Sequence, residues 1–218
     1  MRKILRLIKK GSLGVLLVLT LVAAISKPMW LAFSLWIVVY VFRAPLQRWS
    51  NRWSPRRAFI GWGVFFGLLV EFFAVLNNIN LPPEDRVLLN PNPVADMVMA
   101  VVYYSFVIVT WYWLLRRIAY TSRHVFLLTG LFGIVVEQNG AIVLGILGSP
   151  ILGLLMALLI LCIYGLFPLL AHWLSAHRFD PVRSPVKIRH IFLAEGALFF
   201  QYVVYGLVIF PTLTQLFK

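Results

Sequence analysis

Seven apolar stretches follow one another along this chain, at about residues 12–26, 29–43, 58–77, 95–115, 125–148, 151–175 and 191–213. The connections between them are short and polar. A helix needs roughly 20 apolar residues to cross the hydrocarbon core of a bilayer. One or two such stretches can be covered in a large soluble core, but a chain of 218 residues cannot cover seven. Composition agrees. The chain is 61% hydrophobic and 12% charged, where a soluble domain is about half apolar and about a quarter charged. The expected fold is therefore all-α: a polytopic transmembrane helical bundle of about seven spans, forming a single integral membrane domain over residues 1–218.

The net charge of +13 does not point to nucleic acid, because the basic residues sit in the connections between apolar spans. Their expected partners are the lipid bilayer and its anionic headgroups. They are also unevenly distributed. Arg2, Lys3, Arg6, Lys9 and Lys10 precede the first stretch, and Arg43, Arg48, Arg52, Arg56 and Arg57 follow the second. Arg116, Arg117 and Arg123 follow the fourth, and Arg178, Arg183, Lys187 and Arg189 follow the sixth. Only Lys27, Arg86 and Lys218 fall in the alternate connections. The positive-inside rule then gives a cytoplasmic N-terminus and an outside C-terminus in the cell (inner or plasma) membrane. The first two basic groups share a side only if the chain turns at Ser26-Lys27-Pro28, and the proline disfavours helix in the residue before it. Met1 to Ser26 also has the form of a signal peptide. Retention as an anchor is the expected outcome, because the next span follows at once.

The long outside connection 78–94 is rich in proline and asparagine, which favours turns over a domain. The basic loop 43–57 carries Trp49 and Trp53, an interfacial anchor pattern. Cys162 lies inside an apolar run and reads as a buried small residue. Gly63-x-x-x-Gly67 lets another helix approach closely. His124, His172, His177 and His190 all fall at the cytoplasmic boundary without metal-ligand spacing, so headgroup contact is expected and a metal is not. No cofactor-binding motif is present and no cofactor is expected.

An internal repeat carries the most chemistry. Phe66-Gly67-Leu68-Leu69-Val70-Glu71 aligns with Phe132-Gly133-Ile134-Val135-Val136-Glu137, and Arg57-Ala58-Phe59-Ile60 aligns at the same offset with Arg123-His124-Val125-Phe126. Arg189-His190-Ile191-Phe192 extends the series. Tandem helical hairpins would explain it, and membrane proteins often hold their site between such repeats. Glu71, Glu137 and Glu195 lie within spans, where an acid costs roughly 2.5–3.5 kcal/mol on insertion scales. Glu71 and Glu137 fall at matched depth, roughly 18–20 Å from the inner face at 1.5 Å per residue. Tyr103, Tyr104, Gln201, Tyr202 and Tyr205 share that layer, and Asn139 follows Glu137 closely. The expected catalytic acids are Glu71, Glu137 and Glu195. Asn139, Tyr103, Tyr104, Gln201 and Tyr205 are the expected substrate contacts. Helix-gluing hydrogen bonds are the structural alternative.

The stretch Leu193-Ala194-Glu195-Gly196-Ala197-Leu198-Phe199-Phe200 resembles the acidic motif of the membrane-embedded carotenoid enzymes, namely the heterodimeric bacterial lycopene cyclases and the carotenoid hydratases. Leu193 stands where that motif has proline, and Gly196 where it has a second acid. Pro82-Pro83-Glu84-Asp85 fits the four-residue pattern without the phenylalanines. The resemblance implies proton-driven chemistry on a lipophilic polyene. Three functional classes remain open from sequence: an intramembrane acid/base enzyme on a lipid-soluble isoprenoid, a proton- or ion-coupled transporter, and a non-catalytic membrane partner or assembly subunit; an oligomer or a partner membrane subunit is a further expected partner.

Overall fold

The computed structural model describes residues 14–15, 18–25, 27–179 and 182–217, the side chains of Gln138 and Asn139 excepted. Every regular element among them is helical. Residues 14–15 and 18–25 are helical, and the rest of the expected first span lies outside the described residues. After a short turn at Pro28–Trp30 come α1 (Leu31–Val41) and α2 (Arg43–Ser50), bent by 78° from each other. Then follow α3 (Pro55–Asn78), α4 (Pro93–Leu115) and α5 (Ser122–Val136). A tight turn over Glu137–Gly140 leads into α6 (Ala141–Gly148), and α7 (Pro150–Ser175) returns. The last span is α8 (Ile188–Val204), a wide π-turn at Tyr205–Ile209, and α9 (Phe210–Leu216).

Among the described residues four helical stretches are long and apolar enough to cross a membrane, and the count reaches six if each bent pair is one span. Two expectations need correction. The basic segment 43–57 is not an open loop, since α2 occupies its first half. α2 carries Arg43, Arg48 and Trp49. Trp49, Trp53 and Trp62 close into one ring cluster, with centroids 4.9–6.1 Å apart. The stretch 125–148 is not one straight helix either. It breaks after Val136 and turns by 81° into α6. Gly140 supplies the left-handed residue that this reversal requires, at φ +87°.

The helix starts follow local chemistry. The Ser54 hydroxyl accepts the Arg57 N–H, and the Asn92 side chain accepts those of Val94 and Ala95, each with proline at the first helical position. Two of the four histidines are also caps. His124 Nδ1 accepts the Thr121 N–H at 3.2 Å, and His190 Nδ1 accepts the Lys187 N–H at 3.1 Å. An imidazole here does what Glu or Gln does in a capping box. This capping role stands beside the expectation of headgroup contact at both positions.

The helices α3 and α4 pack as one hairpin and α5 and α7 as another. These two join through α3 and α7, and α8 lies against α4 and α5. The three basic connections are knitted together at one end. Arg178 donates to the carbonyls of Ser50 and Trp53, and Arg183 to that of Leu115. Gln47 donates to the Trp173 carbonyl, and residues 117–119 pair with Ser184. The Arg183 guanidinium thus satisfies a carbonyl in the last turn of α4, and Arg178 ties the end of α2 and the residues after it to the same cluster. Tyr120 donates to the His190 carbonyl in the same layer. Burial pushes its phenol up to about 12, so it stays a donor across the physiological range.

Candidate functional site

Two glycines prepare the site. A Cβ on Gly67 would lie 2.5 Å from the Tyr104 ring, and one on Gly133 would lie 2.3 Å from the Tyr164 ring. Each tyrosine of the facing helix therefore lies across a bare backbone. Four residues on, one helical turn further along the same face, stands a glutamate. Tyr104 donates to Glu71 Oε2 at 2.8 Å, and Tyr164 donates to Glu137 Oε2 at 2.5 Å. The same arrangement, Gly-x-x-x-Glu against a tyrosine, thus occurs once between α3 and α4 and once between α5 and α7.

Both pairs line one cavity of about 670 Å³, within the range typical of small-molecule sites. Val70, Val136, Ile160, Ile163 and Phe167 form apolar wall, while Tyr103, Tyr202, Tyr205 and Phe210 add aromatic wall from α4 and the last span. The Tyr103 ring packs edge-on against Tyr205 at 5.3 Å and against Tyr104 at 5.4 Å. Tyr205 sends its hydroxyl to the Met99 carbonyl, so it presents ring rather than hydroxyl. The π-turn begins at Tyr205 and places Gly206 on the cavity wall. Pro211 has no N–H to give to the preceding turn, which fits a local widening there.

The connection between α3 and α4 covers one end through Arg86, Val87, Leu88 and Leu89. Arg86 donates to the carbonyls of Ile79, Leu81 and Pro91 at 2.7–3.1 Å, so its guanidinium holds the connection closed on itself. Asn78 accepts the Val87 N–H, and Asp96 accepts those of Leu89 and Asn90. Glu71 lies seven residues before the end of α3, so the carboxyl layer sits roughly 10 Å from that end at 1.5 Å per residue.

Of the eight residues predicted to form the site, the structure brings five to this cavity: Glu71, Glu137, Tyr103, Tyr104 and Tyr205. Glu195 is half-buried on α8 and does not line it; its Oε1 has no hydrogen-bond partner. The Leu193–Phe200 stretch that carries the family resemblance is therefore apart from the two acids. Gln201 is buried against the bundle, with neither amide atom partnered and without reaching the cavity. The side chain of Asn139 lies outside the described residues. Two residues escaped the sequence reading. Tyr164 is the hydroxyl-bearing aromatic of α7. Asp96 lies on the face of α4 that buries Ala100, Tyr103 and Val107, a helical spacing that would have found it.

A second cavity of about 730 Å³ runs between α1, α5 and α7 and holds Trp30, Trp36, Trp173 and Cys162, with no carboxylate. Among the described residues no group of three His, Cys, Asp or Glu side chains is placed to hold a metal ion. No family model matches the chain, and no curated protein or solved structure matches it.

Proposed function

We propose that this protein is an intramembrane acid/base enzyme acting on a lipid-soluble, isoprenoid-like substrate in the cavity between its two hairpins. The observation that carries this reading is the pair of Glu–Tyr units facing one apolar, aromatic-walled space. Packing alone is a poor reason for them. Side-chain hydrogen bonds between membrane helices contribute on average only about 0.6 kcal/mol. An ionised acid at the centre of a span costs up to roughly 2.5–3.5 kcal/mol on insertion scales. Two such acids at one layer are a net cost to assembly, and an acid/base role accounts for their presence.

In this scheme one glutamic acid gives its proton to a carbon of a substrate double bond, leaving a carboxylate and a carbocation. The other glutamate, as carboxylate, removes a proton from a neighbouring carbon and a double bond re-forms. Substrate composition is unchanged, and the proton returns between the carboxyls to reset the site. The rings of Tyr103, Tyr205 and Phe167 line the space where positive charge would develop, and cation–π contact stabilises it. Water exclusion by the apolar wall protects the cation from hydration.

The topology that fits this reading has seven spans in the plasma or inner membrane, with tandem hairpin repeats built from α3–α4 and α5–α7. The N-terminus is cytoplasmic and the C-terminus outside. Anionic headgroups meet the knitted basic end.

The test is to purify the protein in mild detergent and identify lipophilic molecules that accompany it by absorption and mass spectrometry. A stoichiometric polyene or other isoprenoid is expected, and Glu137→Gln should retain it unconverted. Bulk phospholipid alone, or a fully active Glu137→Gln variant, would sink the proposal. The twofold recurrence of the Glu–Tyr unit also favours a second reading, a proton-coupled carrier rocking about the same acids. Flux in liposomes that follows an imposed pH gradient would select it over the enzyme.

A further inference from the structure

Asp96 differs from the other acids in how its two oxygens are used. It lies in the first turn of α4 and its side chain is wholly buried. Its Oδ1 accepts the backbone N–H groups of Leu89 at 2.7 Å and Asn90 at 3.2 Å. Its Oδ2 is buried and receives no N–H or O–H from the described residues. The Asp96 and Glu71 carboxyls stand within side-chain hydrogen-bonding range of each other. Glu71 in turn faces the cavity and takes the Tyr104 hydroxyl on Oε2.

Two carboxyls in contact attract each other only through a proton held between them; as two carboxylates they repel. The surroundings decide which one carries the proton. Asp96 receives two backbone N–H groups and stands at a helix N-terminus, both of which stabilise negative charge there. Glu71 receives one phenol. The charge therefore belongs on Asp96 and the proton on Glu71, with the Glu71 O–H donating to Asp96 Oδ2. Among the described residues Glu137 has no carboxyl within hydrogen-bonding range, and Tyr164 is its hydrogen-bond donor.

We infer that Asp96 is a positioning residue that keeps Glu71 loaded as the proton donor of the site, which leaves Glu137 as the proton acceptor. This rests on the acid/base reading above and assigns its two roles. It also ties the donor to the connection over the cavity, because the carboxylate that orients the Glu71 proton anchors Leu89 and Asn90. Opening that connection would withdraw two N–H groups from Asp96 and loosen its hold on the proton.

The experiment is infrared spectroscopy of the substrate-free, full-length protein in detergent at neutral pH. Wild type should carry a protonated-carboxyl C=O band that Glu71→Gln removes and Glu137→Gln retains. Asp96→Asn keeps an oxygen for Leu89 and Asn90 but no longer offers a carboxylate, so the band should shift in frequency or disappear. A band that survives Glu71→Gln places the proton elsewhere and overturns the inference. So does a band unchanged in position and intensity in Asp96→Asn. Should that variant fail to fold, Glu71→Gln still decides. Its amide mimics the protonated acid toward Asp96, so its melting temperature should match wild type, and a drop of many degrees would count against the proton's location. No substrate enters these spectra, so their failure is distinct from failure to find a bound isoprenoid.

Discussion

Gly67 and Gly133 matter for the atom they lack. Each lets a tyrosine ring cross the helix at a distance a Cβ would forbid, and that crossing carries the phenol to the glutamate one turn on. Gly67→Ala and Gly133→Ala should therefore each destabilise the protein by about 1–3 kcal/mol, the usual cost of overpacking. Gly196 has open space around its missing Cβ, so Gly196→Ala serves as the control and should melt with wild type. Thermal unfolding in detergent reads all three, and a Gly133→Ala variant as stable as Gly196→Ala would remove the seat from the account. At this scale the sequence was partly legible. The Phe-Gly-x-x-x-Glu recurrence was visible because both copies sit at one offset. Tyr164 was not, because 27 residues separate it from its glutamate whereas 33 separate Tyr104 from Glu71. The two hairpins differ in what joins their helices, so a constant spacing could not find the second partner.

Helices could be read where polar chemistry marks their ends, and could not where apolar residues run through a break. Ser54-Pro55 and Asn92-Pro93 announce α3 and α4 in the sequence itself. The turn at Glu137–Gly140 is hidden inside an apolar stretch, and its signals are the glycine at 140 and the polar run before it. This is why Glu137 was expected inside a straight span and is found at its end. The recurrent Arg-His pair before a span was noticed as a repeat, and its physical content is a cap. The cap can be tested by exchange. His124→Gln keeps an acceptor able to reach the Thr121 N–H, while His124→Ala removes it, and a lost cap costs about 1 kcal/mol. His124→Ala should lower the melting temperature and His124→Gln should restore most of the difference. Equal loss in both variants would mean that the imidazole acts by packing rather than as an acceptor.

At the scale of the whole molecule, hydrogen bonds across the basic end make a topological statement that charge counting alone could not. Because Arg178 binds α2's end and Arg183 binds α4's, the connections 51–54, 116–121 and 176–187 must lie on one side of any membrane the protein crosses. The 79–92 connection leaves from the opposite end of α3. In the topology proposed above, the excess of arginine and lysine puts the common side in the cytoplasm. Cysteine scanning in a Cys162→Ala background tests both steps with exposed positions. In intact cells an impermeant thiol reagent should label Glu84→Cys and spare Arg52→Cys, Arg116→Cys and Val182→Cys, which should react only after permeabilisation. The reverse pattern would keep the fold and invert its orientation, moving the 79–92 connection and its end of the cavity to the cytoplasmic side. A split among the three basic-end positions would do more damage. It would separate connections that the structure bonds together, and with them the packing of α3 on α7 that brings Glu71 and Glu137 to one cavity.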